Sequence, residues 1–368
     1  MEPNAPDAPT RDVILSIQVM RGFAAIAVAL YHTHLILAQP EYGGIDVFGA
    51  ISSPGWLGVN FFFVLSGFII LHAHHADIGQ PARVGRYAWK RFTRVYPVYW
   101  IFLSLFILAA FVGVGNAKFE WRFGNLLSAY ALAELSDPLS LPLQVAWTLF
   151  YEVRFYALFA LLILNRVAGV AAMVAWGAGI AIANIWFNPQ PLGMFHMWNV
   201  YFLFGMSAFF FYRLVDARWG LAILVAGVLG LISCLSAGWV EARIAQISPL
   251  TLLALAVPFT MILLGGALAE KHASWRPSKL LLLLGEASYS IYLVHSAAIT
   301  VMAILQHKLA PNLAPAPALY VATALASIAA GVAAHLLVEK PVLAATRLIG
   351  GREKRRIAAL RPQDARSP

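Results

Sequence analysis

Ten long apolar runs, each near the length of a membrane-crossing helix, are the feature that most limits how this chain can fold. A helix needs about 20 mostly apolar residues to cross the hydrocarbon core of a bilayer. The chain is 61% hydrophobic and 12% charged, whereas soluble proteins are about 45–50% apolar and about 25% charged. We therefore predict an all-α polytopic membrane protein with about ten transmembrane helices. The predicted spans are residues 15–37, 56–73, 95–114, 143–164, 167–187, 194–212, 219–237, 248–268, 280–304 and 317–338.

The basic residues between these spans indicate the orientation of the chain. If the N-terminus lies in the cytoplasm, twenty of the 26 Lys and Arg residues fall in cytoplasmic segments and four in outer loops. Cytoplasmic loops of membrane proteins carry an excess of Lys and Arg, so we predict that both termini are cytoplasmic. The net charge of +9 then reflects this orientation and contacts with anionic headgroups, rather than a nucleic-acid partner.

The same pattern divides the chain into a cytoplasmic segment (1–14), one membrane domain (15–343) and a basic cytoplasmic tail (344–368). The first apolar run follows a polar start and continues past any small-residue cleavage site, which favours a membrane helix over a signal peptide. A shorter apolar stretch, 124–135, is predicted to lie at the membrane interface. The single cysteine, Cys234, excludes an intramolecular disulfide framework.

Two polar residues, Arg21 and His32, interrupt the first run, "QVMRGFAAIAVALYHTH". A charged side chain at the bilayer centre costs about 3 kcal/mol on insertion scales and usually marks a functional site. Because the two residues are eleven positions apart, they lie on one helix face and about 16.5 Å apart along its axis. In the predicted orientation Arg21 lies near the cytoplasm and His32 in the outer half. A snorkelling arginine and a histidine bonded to a neighbouring helix would give the same pattern.

Two further stretches each allow a structural and a functional interpretation. Ser66 and Gly67, in "GVNFFFVLSGFII", place a hydroxyl beside a point of close backbone approach, which is also typical of a helix-packing notch. Arg91 and Arg94, in "RYAWKRFTRVYPVYW", are three positions apart and project together from a helix. Such a pair suits phosphates or lipid headgroups. Five basic residues between positions 83 and 94 are more than anchoring needs.

Polar side chains also recur at helical spacing on two later spans. Residues spaced i, i+4, i+8 or i, i+4, i+7 share one face of a helix. With the face of the first span, these stripes make three polar faces that can converge on one buried site. The stripes comprise Thr148, Glu152 and Tyr156 on the fourth span, and Ser288, Tyr292 and His295 on the ninth.

The run "HAHHAD" at positions 72–77 has the composition of a metal cluster. It lies at the end of a span, and no second group of ligands follows at a recognised metal-binding spacing. We therefore predict no metal site.

Five motifs occur in one order between about residues 17 and 343: "IQVMRGFAAIAVALYH", "FFFVLSGF", "KRFTRVYP", "WTLFYEVRFY" and "ASYSIYLVH". In this order they resemble the acyltransferase-3 family of integral-membrane O-acyltransferases, and within it the exopolysaccharide and surface-glycan acetyltransferases. Two positions depart from the family pattern. Thr148 stands where serine is common, and "VEKP" (338–341) only approximates the closing motif.

The resemblance implies transfer of an acyl group, usually acetyl, from cytoplasmic acyl-CoA to a hydroxyl, typically of a sugar. Acetyl-CoA would be the donor, a glycan or lipid-linked sugar the acceptor, and the bacterial cytoplasmic membrane the location. With the basic loop and the polar stripes, it assigns three sets of residues. Catalytic residues are His32, Glu152 and Arg21; donor-binding residues are Arg21, Arg86, Lys90, Arg91 and Arg94; pocket residues are Ser66, Trp147, Tyr156, Ser288, Tyr292 and His295.

We hypothesise that His32 either deprotonates the acceptor hydroxyl or transiently carries the acyl group, and that a carboxylate such as Glu152 orients it. Arg21 would help to hold the coenzyme A entrance. A multi-span transporter of a glycan or small solute would also carry charges inside the membrane. It should show repeat symmetry or matched broken helices, which this sequence lacks. A scaffold for glycan export would not need Arg21, His32 or the arginine pair.

Overall fold

The computed structural model describes residues 13–112, 119–187, 189, 192–238, 248–273, 275–309 and 315–348. Within these ranges the regular structure is helical, without strands. Nine helical segments of the described chain are long and apolar enough to cross a membrane. The prediction of an all-α polytopic membrane protein is therefore confirmed.

The helices are named here in chain order. They are α1 (Leu15–Leu37), α2 (Gly49–Ser52), α3 (Leu57–His74), α4 (Val84–Phe111), α5 (Phe123–Ala131), α6 (Trp147–Leu164), α7 (Arg166–Trp186), α8 (Val200–Leu214), α9 (Gly220–Ser236), α10 (Pro249–His272), α11 (Lys279–Glu286), α12 (Ser288–Leu309) and α13 (Ala316–Ala334).

The predicted span 194–212 differs most from expectation. It forms α8, which has 15 residues and at 1.5 Å per residue is only about 22 Å long. That is shorter than a bilayer core of about 30 Å, so α8 is not among the nine membrane-length segments. A 3₁₀ turn, Met197–Asn199, precedes it. Because α8 packs against α3 and α10, it nevertheless belongs to the bundle.

The boundaries of other helices also differ from those of the predicted spans. α4 begins at Val84, so the basic residues expected in a loop form the first turns of this helix. The predicted span 280–304 is divided between α11 and α12 at Ala287. The interfacial stretch 124–135 forms α5. α13 continues through a π-helical turn, His335–Glu339, into helical residues up to position 348.

The helix therefore extends five residues into the predicted tail (344–368). The remainder of that tail, and residues 1–12 of the predicted N-terminal segment, lie outside the described residues.

Helix α1 has a central place in the half of the bundle that carries the polar residues. It packs against α3, α11, α12 and α13. Small residues on α1, among them Gly22, Ala25 and Ala29, are buried. Small side chains let helix backbones approach closely in membranes, where van der Waals packing drives association. This packing holds the predicted Arg21–His32 face against neighbouring helices.

Helices α3 and α8 cross at two glycines. A Cβ atom on Gly67 would overlap the carbonyl oxygen of Phe202, and one on Gly205 would overlap that of Val64. The ring of Phe202 also stacks on Phe63, with centroids 4.7 Å apart. The packing interpretation of Gly67 is therefore correct, and the preceding Ser66 is left to face the interior.

The outer surface of the bundle is apolar. On α9 the side chains of Leu221, Val225, Leu229 and Ile232 are all exposed, and their spacing makes one stripe along the helix. A soluble protein rarely exposes a continuous apolar surface of this kind. The exposed faces fit a lipid surrounding.

Candidate active site

A cavity of about 740 Å³ lies between α1, α3, α4, α6 and α12, with the helical residues after α13 at one edge. Nine of the residues assigned from the sequence line it, although they come from five different helices. They are Arg21, Ser66, Lys90, Arg91, Arg94, Glu152, Tyr156, Ser288 and Tyr292. The three polar faces predicted from helical spacing therefore do meet at one site.

The cavity is strongly cationic. Its lining contains Arg21, Lys90, Arg91, Arg94 and Arg347, whereas Glu152 is the one carboxylate that the described residues contribute to it. Like charges held this close repel one another, and the repulsion is stronger where water is partly excluded. Such an arrangement suits an anionic ligand.

The two arginines of the predicted phosphate-binding pair have different surroundings. The Arg94 guanidinium donates to Oε1 of Glu339 over 2.6 Å and lies above the Tyr289 ring. The Arg91 guanidinium lies over the ring of Tyr156 at 5.7 Å, and its Nε is buried without a hydrogen-bond partner. Arg94 is therefore held by a carboxylate, whereas Arg91 forms no ion pair with a carboxylate of the described residues.

Glu152 is held by residues of the cavity wall rather than by a histidine. Tyr156 donates a hydrogen bond to Oε1 of Glu152, and the Ser66 hydroxyl lies 3.5 Å from the same oxygen. No hydrogen bond between Glu152 and His32 is found among the described residues. The expected role of Glu152 in orienting His32 is thus not supported by the geometry, because α6 points this side chain toward α3.

His295 is the residue that contacts His32. Nε2 of His295 lies 3.1 Å from Nδ1 of His32, and the two rings have centroids 4.8 Å apart. α1 and α12 bring them together across 263 positions of sequence. His295 is fully buried, whereas His32 is partly accessible.

The backbone fixes which nitrogen of each ring carries the proton. Nδ1 of His295 lies 3.1 Å from the Ile291 carbonyl oxygen, and Nδ1 of His32 lies 3.0 Å from that of Val28. A carbonyl oxygen can only accept, so both Nδ1 atoms carry hydrogen in the neutral rings. Nε2 of His295 then accepts from His32. The lone pair of His32 is consequently on its own Nε2, where a general base needs it.

Tyr292 connects the cavity to the histidine pair. Its side chain lines the cavity, and its ring lies 5.8 Å from that of His295, one helical turn further along α12. The Thr148 hydroxyl donates to the Tyr292 hydroxyl over 3.0 Å, and the Tyr292 hydroxyl donates to the Val145 carbonyl. The histidines therefore lie directly behind one wall of the cavity, outside its lining.

Two other assigned residues also lie outside the cavity lining. Trp147 packs against Trp198, with centroids 4.4 Å apart. Arg86 is exposed one helical turn before Lys90. In the "HAHHAD" run, His74 is buried and lies 2.8 Å from Asp77, and the described residues contain no group of three or more His, Cys, Asp or Glu placed to hold a metal ion.

Sequence reasoning missed two residues of the site. Glu339 lies just after the last predicted span, 317–338, and its contact with Arg94 joins positions 245 apart. Arg347 was counted in the basic tail, yet it lines the cavity. If the last helix is predicted to continue past position 343, Arg347 falls on it near the membrane surface.

Comparison with known proteins now identifies the family. A family model described as an acyltransferase domain matches residues 14–336, which is most of the chain. The chain belongs to the acyltransferase-3 family. It is therefore an acyltransferase enzyme of the membrane, and the resemblance seen in the motifs is confirmed.

Individual relatives agree with this family. The exopolysaccharide production protein ExoZ of Rhizobium meliloti (strain 1021) is 28% identical over 324 residues, 78% of this chain and 90% of the relative. A putative acetyltransferase, ORF330, of Acidianus two-tailed virus is 35% identical over 23% of this chain and 22% of its own. Protein 2 in the picA locus of Rhizobium radiobacter is 26% identical over 46% of this chain and 84% of its own. No solved structure matches this acyltransferase.

Proposed function

We propose that this acyltransferase moves an acetyl group from acetyl-CoA to a hydroxyl of a glycan or lipid-linked sugar in the bacterial cytoplasmic membrane. The observation that carries the proposal is a cationic cavity whose wall adjoins a hydrogen-bonded histidine pair. The cavity provides a place for an anionic donor, and the pair provides a base. The similarity to an exopolysaccharide production protein supports a glycan acceptor.

The donor would enter from the cytoplasm with its phosphates on the basic residues of α4. Lys90 and Arg91 line the cavity in the first turns of this helix. Guanidinium groups suit phosphate oxygens because their N–H donors match the oxygen spacing. Arg21, on the facing wall, would hold the donor nearer the thioester. This direction of entry rests on the predicted cytoplasmic position of both termini.

His32 would act as the general base. Its Nε2 removes the proton of the acceptor hydroxyl while the hydroxyl oxygen attacks the thioester carbonyl carbon. The carbon–sulfur bond then breaks, the acyl group remains on the acceptor oxygen, and the proton passes from Nε2 to the departing thiolate. His295 keeps the His32 ring in the required tautomer, as a buried carboxylate does in a catalytic triad. Glu152, Ser66 and Tyr156 would form the polar wall around the reacting groups.

The test is incubation of purified protein with labelled acetyl-CoA and a membrane glycan extract, with mass spectrometry of the product. His32→Ala should abolish transfer while the amount of inserted protein stays unchanged. His34→Ala, which removes a histidine two positions further along the same helix, is the matched control and should retain transfer. Full transfer by His32→Ala would overturn the proposed base.

Two further measurements separate the alternatives. Exchange of labelled coenzyme A into acetyl-CoA without acceptor, if it is lost in His32→Ala, would indicate that His32 carries the acyl group instead of acting as a base. Flux of a glycan into sealed vesicles without any acyl-CoA would indicate a transporter.

A further inference from the structure

The segment that follows the family match takes part in the cavity. The family model ends at residue 336, but the chain continues through the π-helical turn into helical residues 340–348. Residues 337–348 are called the C-terminal extension here. Leu343, Thr346 and Arg347 of this extension line the cavity, and Glu339 contacts Arg94. The family model therefore does not reach these residues, although "VEKP" (338–341), which contains Glu339, approximates the closing motif of the family.

Glu339 is the most constrained carboxylate of the site. It is fully buried, and both of its oxygens are used. Oε1 accepts from Arg94 over 2.6 Å, while Oε2 accepts from the Ser290 hydroxyl over 2.8 Å and lies 2.9 Å from Nδ1 of His335. A carboxylate with this many partners has one orientation. It can therefore fix the guanidinium that it binds.

The ion pair between Glu339 and Arg94 does more than hold two helices together, because it also positions the Arg94 side chain at the cavity. A buried ion pair is weak evidence for stability, because desolvation of the two charges offsets their attraction. Here the Arg94 side chain remains about 30% exposed and lines the cavity. The ion pair thus positions a cation at a ligand surface. The π-helical turn allows this, since it places His335 and Glu339 on one buried face, and such turns often occur at functional sites.

Arg347 adds a third cation to Lys90 and Arg91, and these three residues are called the basic rim of the cavity. Arg347 is exposed at the edge of the cavity that Lys90 and Arg91 of α4 also line. Cations from two separate helices that face one cavity would repel each other unless an anion lies between them. A donor with several phosphates is such an anion.

We propose that the C-terminal extension forms a wall of the donor site, in which Arg347 binds phosphate groups of the coenzyme A donor and Glu339 is a positioning residue for Arg94. The proposal rests on the proposed use of acyl-CoA. It assigns a binding role to Arg347, which composition alone places in a basic tail.

Direct binding tests the role of Arg347. Coenzyme A and phosphate-free pantetheine are titrated into purified full-length protein by calorimetry. Arg347→Ala should weaken coenzyme A binding by about tenfold, as expected for loss of a charge-assisted contact, and leave pantetheine binding unchanged. Lys340→Ala is the matched control, because Lys340 is an exposed cation of the same extension outside the cavity lining. It should bind coenzyme A like the wild type.

Steady-state kinetics test the role of Glu339. Glu339→Gln should raise the KM for acetyl-CoA by about tenfold while kcat at saturating donor stays within about twofold, because Arg94 is displaced but the histidines are not. Glu339→Asp, which keeps the charge, should recover part of the loss. In the Arg94→Ala background, Glu339→Gln should add little. A variant that only damages folding would lower kcat and leave the KM unchanged.

The outcomes distinguish this inference from the function on which it rests. If Arg91→Ala weakens coenzyme A binding but Arg347→Ala and Glu339→Gln behave like the wild type, the role of the extension is overturned and the proposed donor stands. If the wild-type protein does not bind coenzyme A, both proposals are overturned.

Discussion

At the scale of single residues, the hydrogen bonds of the histidine pair determine which ring nitrogen of His32 is available to accept a proton. Two backbone carbonyls, those of Val28 and Ile291, dictate the tautomer of both rings. His295 is fully buried and lies 3.1 Å from Nδ1 of His32, so we expect it to orient His32 rather than to contact a substrate. Removing it should therefore affect the chemical step rather than the binding of donor.

We expect His295→Ala to lower kcat by about 10²-fold, the lower end of what a positioned base contributes, with little change in the KM for the donor. His295→Gln should recover part of this loss, because its side-chain oxygen can accept from Nδ1 of His32. Initial rates over a range of acetyl-CoA concentrations measure both parameters. An equal loss in the Ala and Gln variants would contradict the orienting role.

We expect substitutions of the basic residues of α4 to change the donor KM by different amounts, depending on whether the residue lines the cavity. Arg91 lines it with a buried, unpartnered Nε, whereas Arg86 is exposed outside the lining. Arg91→Ala should therefore raise the donor KM by about tenfold or more, since a charged contact is worth about 1.5–3 kcal/mol. Arg86→Ala, one turn away, should change it less than about twofold. Similar KM changes in both variants would indicate general attraction by the basic surface instead of a defined contact.

At the scale of elements, the close crossing of α3 and α8 positions the wall that carries Ser66. Gly67→Ala should destabilise the protein by about 1–3 kcal/mol, because the new Cβ would overlap the Phe202 backbone, which cannot move without repacking. Gly85→Ala is the matched control, as no atom lies within 4 Å of the position of its Cβ. Thermal unfolding in detergent should show a lower Tm for Gly67→Ala only. An unchanged Tm would mean that α8 shifts freely.

The elements also show where sequence reasoning succeeds. Helical periodicity alone places Thr148, Glu152 and Tyr156 on one face, and all three line the cavity. It fails where the answer depends on contacts between helices. The break at Ala287 falls inside the predicted span 280–304, and it follows Gly285, where the backbone of α11 lies so close to α1 that an added Cβ would overlap the Gln18 carbonyl oxygen. The Glu339–Arg94 and His295–His32 contacts join distant positions, so no local pattern contains them.

At the scale of the whole molecule, the positions of the charged residues and of the cavity together indicate from which end of the helices the donor enters. The basic residues of the cavity lie at the ends of α1, α4 and the C-terminal extension, while His32 lies about three turns further along α1. If the basic end is cytoplasmic, we expect the donor to approach the histidine from the cytoplasmic side of the membrane. The orientation of the chain thus decides the side from which the donor reaches the cavity.

Cysteine labelling tests this orientation directly. In a Cys234→Ser background, which removes the single native cysteine, one cysteine is placed at Ala82 or at Asp137, both exposed positions. Position 82 precedes α4 and is predicted to be cytoplasmic, whereas position 137 lies between α5 and α6 and is predicted to be outside. A membrane-impermeant maleimide added to intact spheroplasts should label Asp137→Cys at once and Ala82→Cys only after permeabilisation. The reverse pattern would place the basic rim outside the cell, where acyl-CoA is absent, and the proposed donor would then fail together with the orientation.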